Sequence, residues 1–291
     1  MSIPFDIYVI QAIHGIVYGM LLFLVAAGLT LVFGMMGVLN LAHAGFYMLG
    51  AYLAYSITAY TGSFWLSMML APLGAALGGG LVERFLLRQV HGYGHVYELL
   101  LTFGVFLVTG EIVKWFWGNS SLPAIEIPSV LSGSLTILGA TYPFYRLFIL
   151  LCGLLVLIFM ALLLLKTRIG ITIRAAVSDG EMVAALGTNV PRVFLGVFVI
   201  GSALAGFGGV IAGPFLGTNP SMGFDILNDA FVVIVIGGFG SLLGALVASL
   251  MIGVLQSYGV LILPKFALVF QFVLMALVLI IRPHGLFGDK E

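Results

Sequence analysis

The residues of this sequence that could carry chemistry are few, and they do not gather in one place. His91 and His95 stand four apart, a spacing that on a helix can hold a metal ion. Gly92 and Gly94 lie between them and disfavour a helix there, and no third ligand is near in sequence. Glu111 and Lys114 are three apart beside Trp115 and Trp117, which fits an ion pair at a membrane interface. A sharper alternative makes Glu111 a proton carrier, because ionisable groups within membrane spans are often functional. His14 and His43 fall in other stretches, so acid, base and nucleophile are not collected as an enzyme requires. No G-x-x-x-x-G-K-[ST] phosphate loop is present, so any ATP that drives this protein is hydrolysed by another chain. The single cysteine, Cys152, excludes an internal disulfide framework and a cysteine metal site. No catalytic residue, cofactor site or metal site is assigned.

The densest polar interval runs from Lys166 to Arg192 and carries Lys166, Arg168, Arg174, Arg192, Asp179 and Glu181. Within it Ser178 is a candidate helix N-cap, and Glu181 stands three residues on, the spacing of a capping box. Gly187 supplies a stop and Pro191 blocks continuation. Met182, Ala185 and Leu186 would then form a small apolar knob. Such a helix suits a cleft on a partner protein. It suits equally an amphipathic linker lying on the lipid surface.

A second constellation is built on broken apolar runs. Gly34 and Gly37 interrupt the stretch Gly28 to Tyr55, and Asn40 and His43 sit where a helix could restart, followed by the small residues Ala42, Ala44, Gly45, Gly50 and Ala51. A similar order recurs from Phe231 to Leu250, where Gly237, Gly238 and Ser241 break the run. Non-helical backbone at membrane depth is tolerated only against protein or a water-filled path. Asn40, His43, Gly45, Gly237, Gly238 and Ser241 are therefore candidates to line a translocation route. Polar turns between helices, or a tight hairpin at the second break, account for the same pattern.

The elements that must position these residues are membrane helices. Of 291 residues 62% are apolar and only 8% charged, with a mean hydropathy of +1.23. Soluble domains carry about 25% charged residues. Several apolar runs reach the roughly 20 residues needed to cross a bilayer. Spans are expected near 8–33, 64–82, 97–117, 144–165, 193–215 and 266–281, with others in the two glycine-broken stretches. Residues 119–143 read as an external loop with a short hairpin near Ser134 to Ala140. Gly201, Ala205, Gly206, Gly208, Gly209 and Gly213 make a small-residue face for close helix packing. A net charge of zero gives nucleic-acid binding no electrostatic basis. Placing Arg84, Arg88, Lys166, Arg168, Arg174, Arg192, Arg282 and Lys290 inside leaves Lys114, Arg146 and Lys265 outside, eight basic residues against three. The fold class is thus an all-α polytopic membrane protein: eight or nine crossings, at least one broken or re-entrant helix, and an external N-terminus. The whole chain, 1–291, is one transmembrane domain, with 166–192 a cytoplasmic coupling segment inside it.

Asn40, Ala42, His43, Gly45, Phe46 and Gly50, with the closing Arg282, Pro283, Gly285, Leu286, Phe287 and Gly288, resemble the branched-chain amino acid ABC-importer permeases of the LivH type. Glu181 and Gly187 also resemble that family's coupling loop, Glu-Ala-Ala, three residues, Gly, with Met182 and Val183 in place of the two alanines. The resemblance spans nearly the whole chain. It implies a multi-pass permease of the bacterial plasma membrane that docks on two ATPase subunits. It implies further a second homologous permease or a second copy of this chain, and an external binding protein that delivers branched-chain amino acids or related amino acids, amides or urea. A self-sufficient secondary carrier or channel is the rival. It would need coupling groups in the membrane, and Glu111 is the best candidate for one.

Overall fold

The computed structural model describes residues 5–37, 39–137 and 140–288. Its helices are α1 (Phe5–Met36), α2 (Ala42–Thr61), α3 (Phe64–Val82), α4 (Arg88–Val90), α5 (His95–Trp117), α6 (Phe144–Lys166), α7 (Arg168–Ser178), α8 (Gly180–Ala185), α9 (Val190–Leu216), α10 (Met222–Gly237), α11 (Leu242–Ile262) and α12 (Ala267–Ile281). A π-helical turn, Glu83–Leu87, carries α3 into α4. Two short strands, β1 (Ser134–Ile137) and β2 (Ala140–Pro143), pair antiparallel with Leu135 opposite Tyr142. They form the hairpin expected in the long connection before α6; residues 138–139 between them lie outside the described residues, as does Lys290.

Among the described residues, seven helical stretches are long and apolar enough to cross a bilayer. They comprise α1, the α3–α4 unit, α5, α6, α9, α11, and α12 with the short turn before it. The protein is accordingly a multi-pass α-helical membrane protein. Four helices fall outside that set, the short α7 and α8 among them. α2 has the length but not the apolarity, and α10 has only 16 residues.

These helices are not equivalent. α1 is 83% buried over its most apolar window, against 22% for α5 and 17% for α12. α1 is therefore an interior axis, while α5 and α12 present apolar side chains outward. α1 packs against α6, α9, α10 and α11, and α9 in turn packs against α2 and α3.

Glycine makes the closest of these approaches possible. A Cβ added at Gly15 would stand 2.6 Å from Val254 Cα, and one at Gly50 would stand 2.5 Å from Gly206 Cα. The expected small-residue face of 201–213 is thus the surface on which neighbouring helices meet α9. Without a hydrophobic drive between helices in lipid, association rests on such van der Waals contact.

Candidate functional site

The charged interval holds two helices rather than one. α7 begins at the cap Thr167, whose Oγ1 accepts the Gly170 N–H at 3.1 Å, and it continues through Ser178. Ser178 is therefore not the cap of the short helix. Asp179 is: its Oδ1 accepts the Met182 N–H at 2.8 Å, and its backbone is extended. An aspartate one position nearer the helix outcompetes the serine because its charge also complements the N-terminal dipole. Glu181 then lies in the first turn and makes no capping box. The far end is as expected. Gly187 takes φ +86°, its N–H bonds the Ala184 carbonyl, and the Thr188 N–H bonds the Val183 carbonyl, the paired bonds of a Schellman stop. Pro191 has a different part from the one expected. It lies in the first turn of α9, capped by Asn189, and starts a helix rather than merely ending one.

Within α8, Val183 is buried, whereas Met182 is 58% and Leu186 79% exposed. Val183 anchors the helix, and the two longer side chains project from it. Replacing Asp179 by alanine is expected to cost α8 about 1 kcal/mol and Ser178→Ala almost nothing. Hydrogen exchange at the Met182 amide, faster in the first variant only, checks this.

α7 packs on α1 and on α6 and α9, and α8 packs on α7 and α9; the C-terminal end of α1 shares a cleft with α7. A cleft of about 770 Å³ opens at this end. Thr30, Gly34 and Gly37 of the α1 end, Arg174 and Val177 of α7, and Ser241 line it. Two glycine breaks are brought together here. A Cβ at Gly34 would lie 2.9 Å from Gly240 Cα, and the rings of Phe33 and Phe239 pack beside them, tilted by 32° with centroids 4.4 Å apart. Ser241 caps α11 through an Oγ bond from the Gly244 N–H at 3.0 Å. The projecting α8 helix is thus joined through α7 to the wall of a cleft.

Of the six residues proposed for the route, Ser241 lines this cleft. Gly237 and Gly238 instead support it. Gly237 abuts Gly244, and Gly238, at φ +96°, meets Gly288. The Leu286 and Phe287 N–H groups bond the carbonyls of Ile236 and Gly237 at 2.9 and 3.0 Å, folding the chain's end onto the break. Asn40 and His43 are each 1% exposed and line neither described cleft. His43 donates from Nε2 to the Val25 carbonyl at 3.0 Å, tying α2 to α1. Both amide atoms of Asn40 and Nδ1 of His43 are buried without a partner among the described residues. Gly45 is buried against Thr109 of α5.

The remaining candidates resolve simply. Lys114 Nζ donates to Glu111 Oε1 at 2.6 Å, and Glu111 is 72% exposed, which is the ion-pair arrangement. His91 and His95 both turn to Glu98, a side chain only 1% exposed.

A polar site that sequence reasoning passed over lies at the opposite end of α1. A cleft of about 260 Å³ is lined by Gln11, His14, Tyr18, Arg146 and Gln256 among others. Behind it, Tyr18 donates to Asp229 Oδ2 at 2.7 Å and Gln271 Nε2 donates to Asp229 Oδ1 at 3.0 Å. Asp229 lies inside α10 and is only 8% exposed. The apolar run that follows it, Ala230 to Ile236, was the available signal: it placed an acid one residue from a membrane segment.

Residues 11–281 match a protein family described as the permease component of branched-chain amino acid transport systems. Over 98% of this chain and 97% of its own length, the high-affinity branched-chain amino acid transport permease BraD of Pseudomonas aeruginosa is 30% identical. The LivH permease of Salmonella typhimurium is 30% identical over 100% of this chain and 99% of its own. LivM of Escherichia coli is 29% identical over 92% of this chain and 68% of its own. No solved structure matches the chain.

Proposed function

The chain belongs to the family of branched-chain amino acid transport permeases, and from that premise we propose that it is one membrane subunit of an ATP-driven importer. Its substrates are branched-chain amino acids, and its place is the plasma membrane of a bacterium. The observation that carries this is the capped helix α8, which holds Met182 and Leu186 exposed at the end of α1 where the larger cleft opens. Two apolar side chains held out from a helix of a membrane protein fit a cleft on an ATPase subunit. The contacts from α8 through α7 to the end of α1 give ATP-driven movement of the partner a rigid route to that cleft. Two ATPase subunits, a second permease and an external binding protein complete the assembly. Similarity to LivM as well as to LivH supports a homologous second permease rather than an unrelated one.

Eight basic residues against three put the α7–α8 end inside. The N-terminus is then external. The fold of the chain's end onto Ile236 and Gly237 supports an internal C-terminus and nine passages, α2 and α10 included. α10, about 24 Å long at 1.5 Å per residue, is short for a bilayer core of about 30 Å. Its buried position in the bundle suits that length.

The test is uptake in vesicles by the complex purified with its partners, against a panel of amino acids and urea. ATP-dependent accumulation of leucine, isoleucine and valine is expected, and Glu111→Gln is expected to leave it unchanged because Glu111 is an exposed ion-pair partner. Accumulation by the chain alone under a proton gradient, abolished by Glu111→Gln, would establish a secondary carrier instead.

A further inference from the structure

The outer cleft has two chemically opposite ends. At one, Arg146 lies beside His14, and its guanidinium carbon stands 5.7 and 5.3 Å from the ring centroids of Tyr142 and Phe215. No carboxylate among the described residues is within ion-pair distance of it. A guanidinium held over aromatic faces and facing a cleft keeps its planar fork available for a carboxylate. At the other end, the surplus is of acceptors. Tyr18 and Gln256 line that end; behind them the Asp229 carboxyl receives Tyr18 and Gln271, and Oε1 of Gln271 and Oε1 of Gln256 are buried without a donor among the described residues. Buried acceptors without donors are costly, and an ammonium with three N–H groups satisfies several at once.

The two ends are joined by α1. His14 and Tyr18 lie one turn apart on it, about 6 Å along the axis at 1.5 Å per residue. In a small α-amino acid the charged groups sit on one carbon, so one molecule bonded at both ends spans such a site. Val17, Phe215 and Val260 give the same cleft an apolar wall.

We propose that the outer cleft binds one zwitterionic aliphatic amino acid, its carboxylate on Arg146 and its ammonium on Tyr18 and Gln256, with the Asp229 carboxyl behind them. This rests on the assignment of the chain as an amino acid permease, and adds to it the residues that read both charges of the solute.

The site can be tested by binding as well as by transport. In a Cys152→Ser background, Val260→Cys places a thiol on the cleft wall. L-leucine is expected to slow maleimide labelling of that thiol in the purified complex. Leucinamide, which lacks the carboxylate, and 4-methylpentanoate, which lacks the ammonium, are expected to protect poorly. Arg146→Gln should weaken protection by L-leucine about tenfold or more, with Arg146→Lys intermediate. The complex should remain monodisperse, and the preference for L-leucine over leucinamide should vanish in Arg146→Gln. Equal protection by all three solutes, or wild-type protection in Arg146→Gln, would overturn the site. Uptake assayed in parallel separates this from the function itself. Leucine uptake without leucine protection refutes the cleft alone. Protection without ATP-driven uptake refutes the importer and keeps the binding site.

Discussion

Gly50→Val is expected to abolish the folded protein. The two γ-methyls of valine cannot be accommodated, because even a Cβ at Gly50 would stand 2.5 Å from Gly206 Cα and 2.7 Å from its carbonyl carbon. Those are backbone atoms of α9, not the ends of flexible side chains. Overpacking costs about 1–3 kcal/mol where neighbours can adjust, and here a whole helix must move. α9 cannot retreat alone, since its other faces touch α1 and α3. Gly201 of α9 meets Gly28 of α1, where a Cβ would lie 3.1 Å from the Gly28 carbonyl oxygen. The loss therefore spreads over three helix contacts and exceeds that range. Gly104→Val is the matched control. It lies in α5, where nothing approaches an added Cβ within 4 Å, and it changes helix propensity in the same way. Detergent-extracted protein that elutes as a single species should be lost for Gly50→Val and retained for Gly104→Val. Equal yields would show that the α2–α9 contact does not hold the fold.

Those contacts also show which parts of the molecule were legible in its sequence. Apolar run length locates α1, α3, α5, α6, α9 and α12 to within a few residues, because hydrocarbon demands unbroken internal hydrogen bonding over a fixed thickness. The small residues from Gly201 to Gly213 likewise announce a packing surface. Composition does not say which helix faces which. α1, α6 and α12 are all strongly apolar, yet only α1 is interior. Asn40 and His43 look like path residues because polarity in an apolar run has two explanations. In the structure His43 ties α2 to Val25 of α1, and both residues are sealed between helices. Asp229 shows the converse. Its partners Tyr18 and Gln271 are distant in sequence, so no local spacing reveals that three helices share one polar cluster. The cap of α8 was missed by one residue because Ser178 and Asp179 are both competent caps. The choice fell to where α7 ends, which depends on its packing against α1 and α6.

Leu186→Asp is expected to separate ATP hydrolysis from uptake while leaving the membrane protein intact. Leu186 is 79% exposed and Gly187 completes the helix stop behind it, so no described neighbour depends on the leucine side chain for packing. A loss of stability in this chain is therefore not expected. If Leu186 is buried in an ATPase cleft, its burial contributes about 1.5–3 kcal/mol to docking. That is a factor of roughly 10 to 150 in affinity, and an aspartate adds the cost of desolvating a charge. Uptake should fall by at least about tenfold, and ATPase retained on the membrane subunits should fall with it. Met182→Asp should act in the same direction, because Met182 projects from the same short helix. The competing role for this segment is a helix resting on lipid, and Leu186→Lys distinguishes the two. At an anionic cytoplasmic leaflet a lysine is favourable, by about 1 kcal/mol, so a lipid-resting helix tolerates it. In an apolar protein cleft a lysine is as disruptive as an aspartate. Uptake lost in both Leu186→Asp and Leu186→Lys, with normal membrane insertion, identifies a protein partner at α8. Uptake lost in the aspartate variant but kept in the lysine variant would place α8 on the bilayer instead.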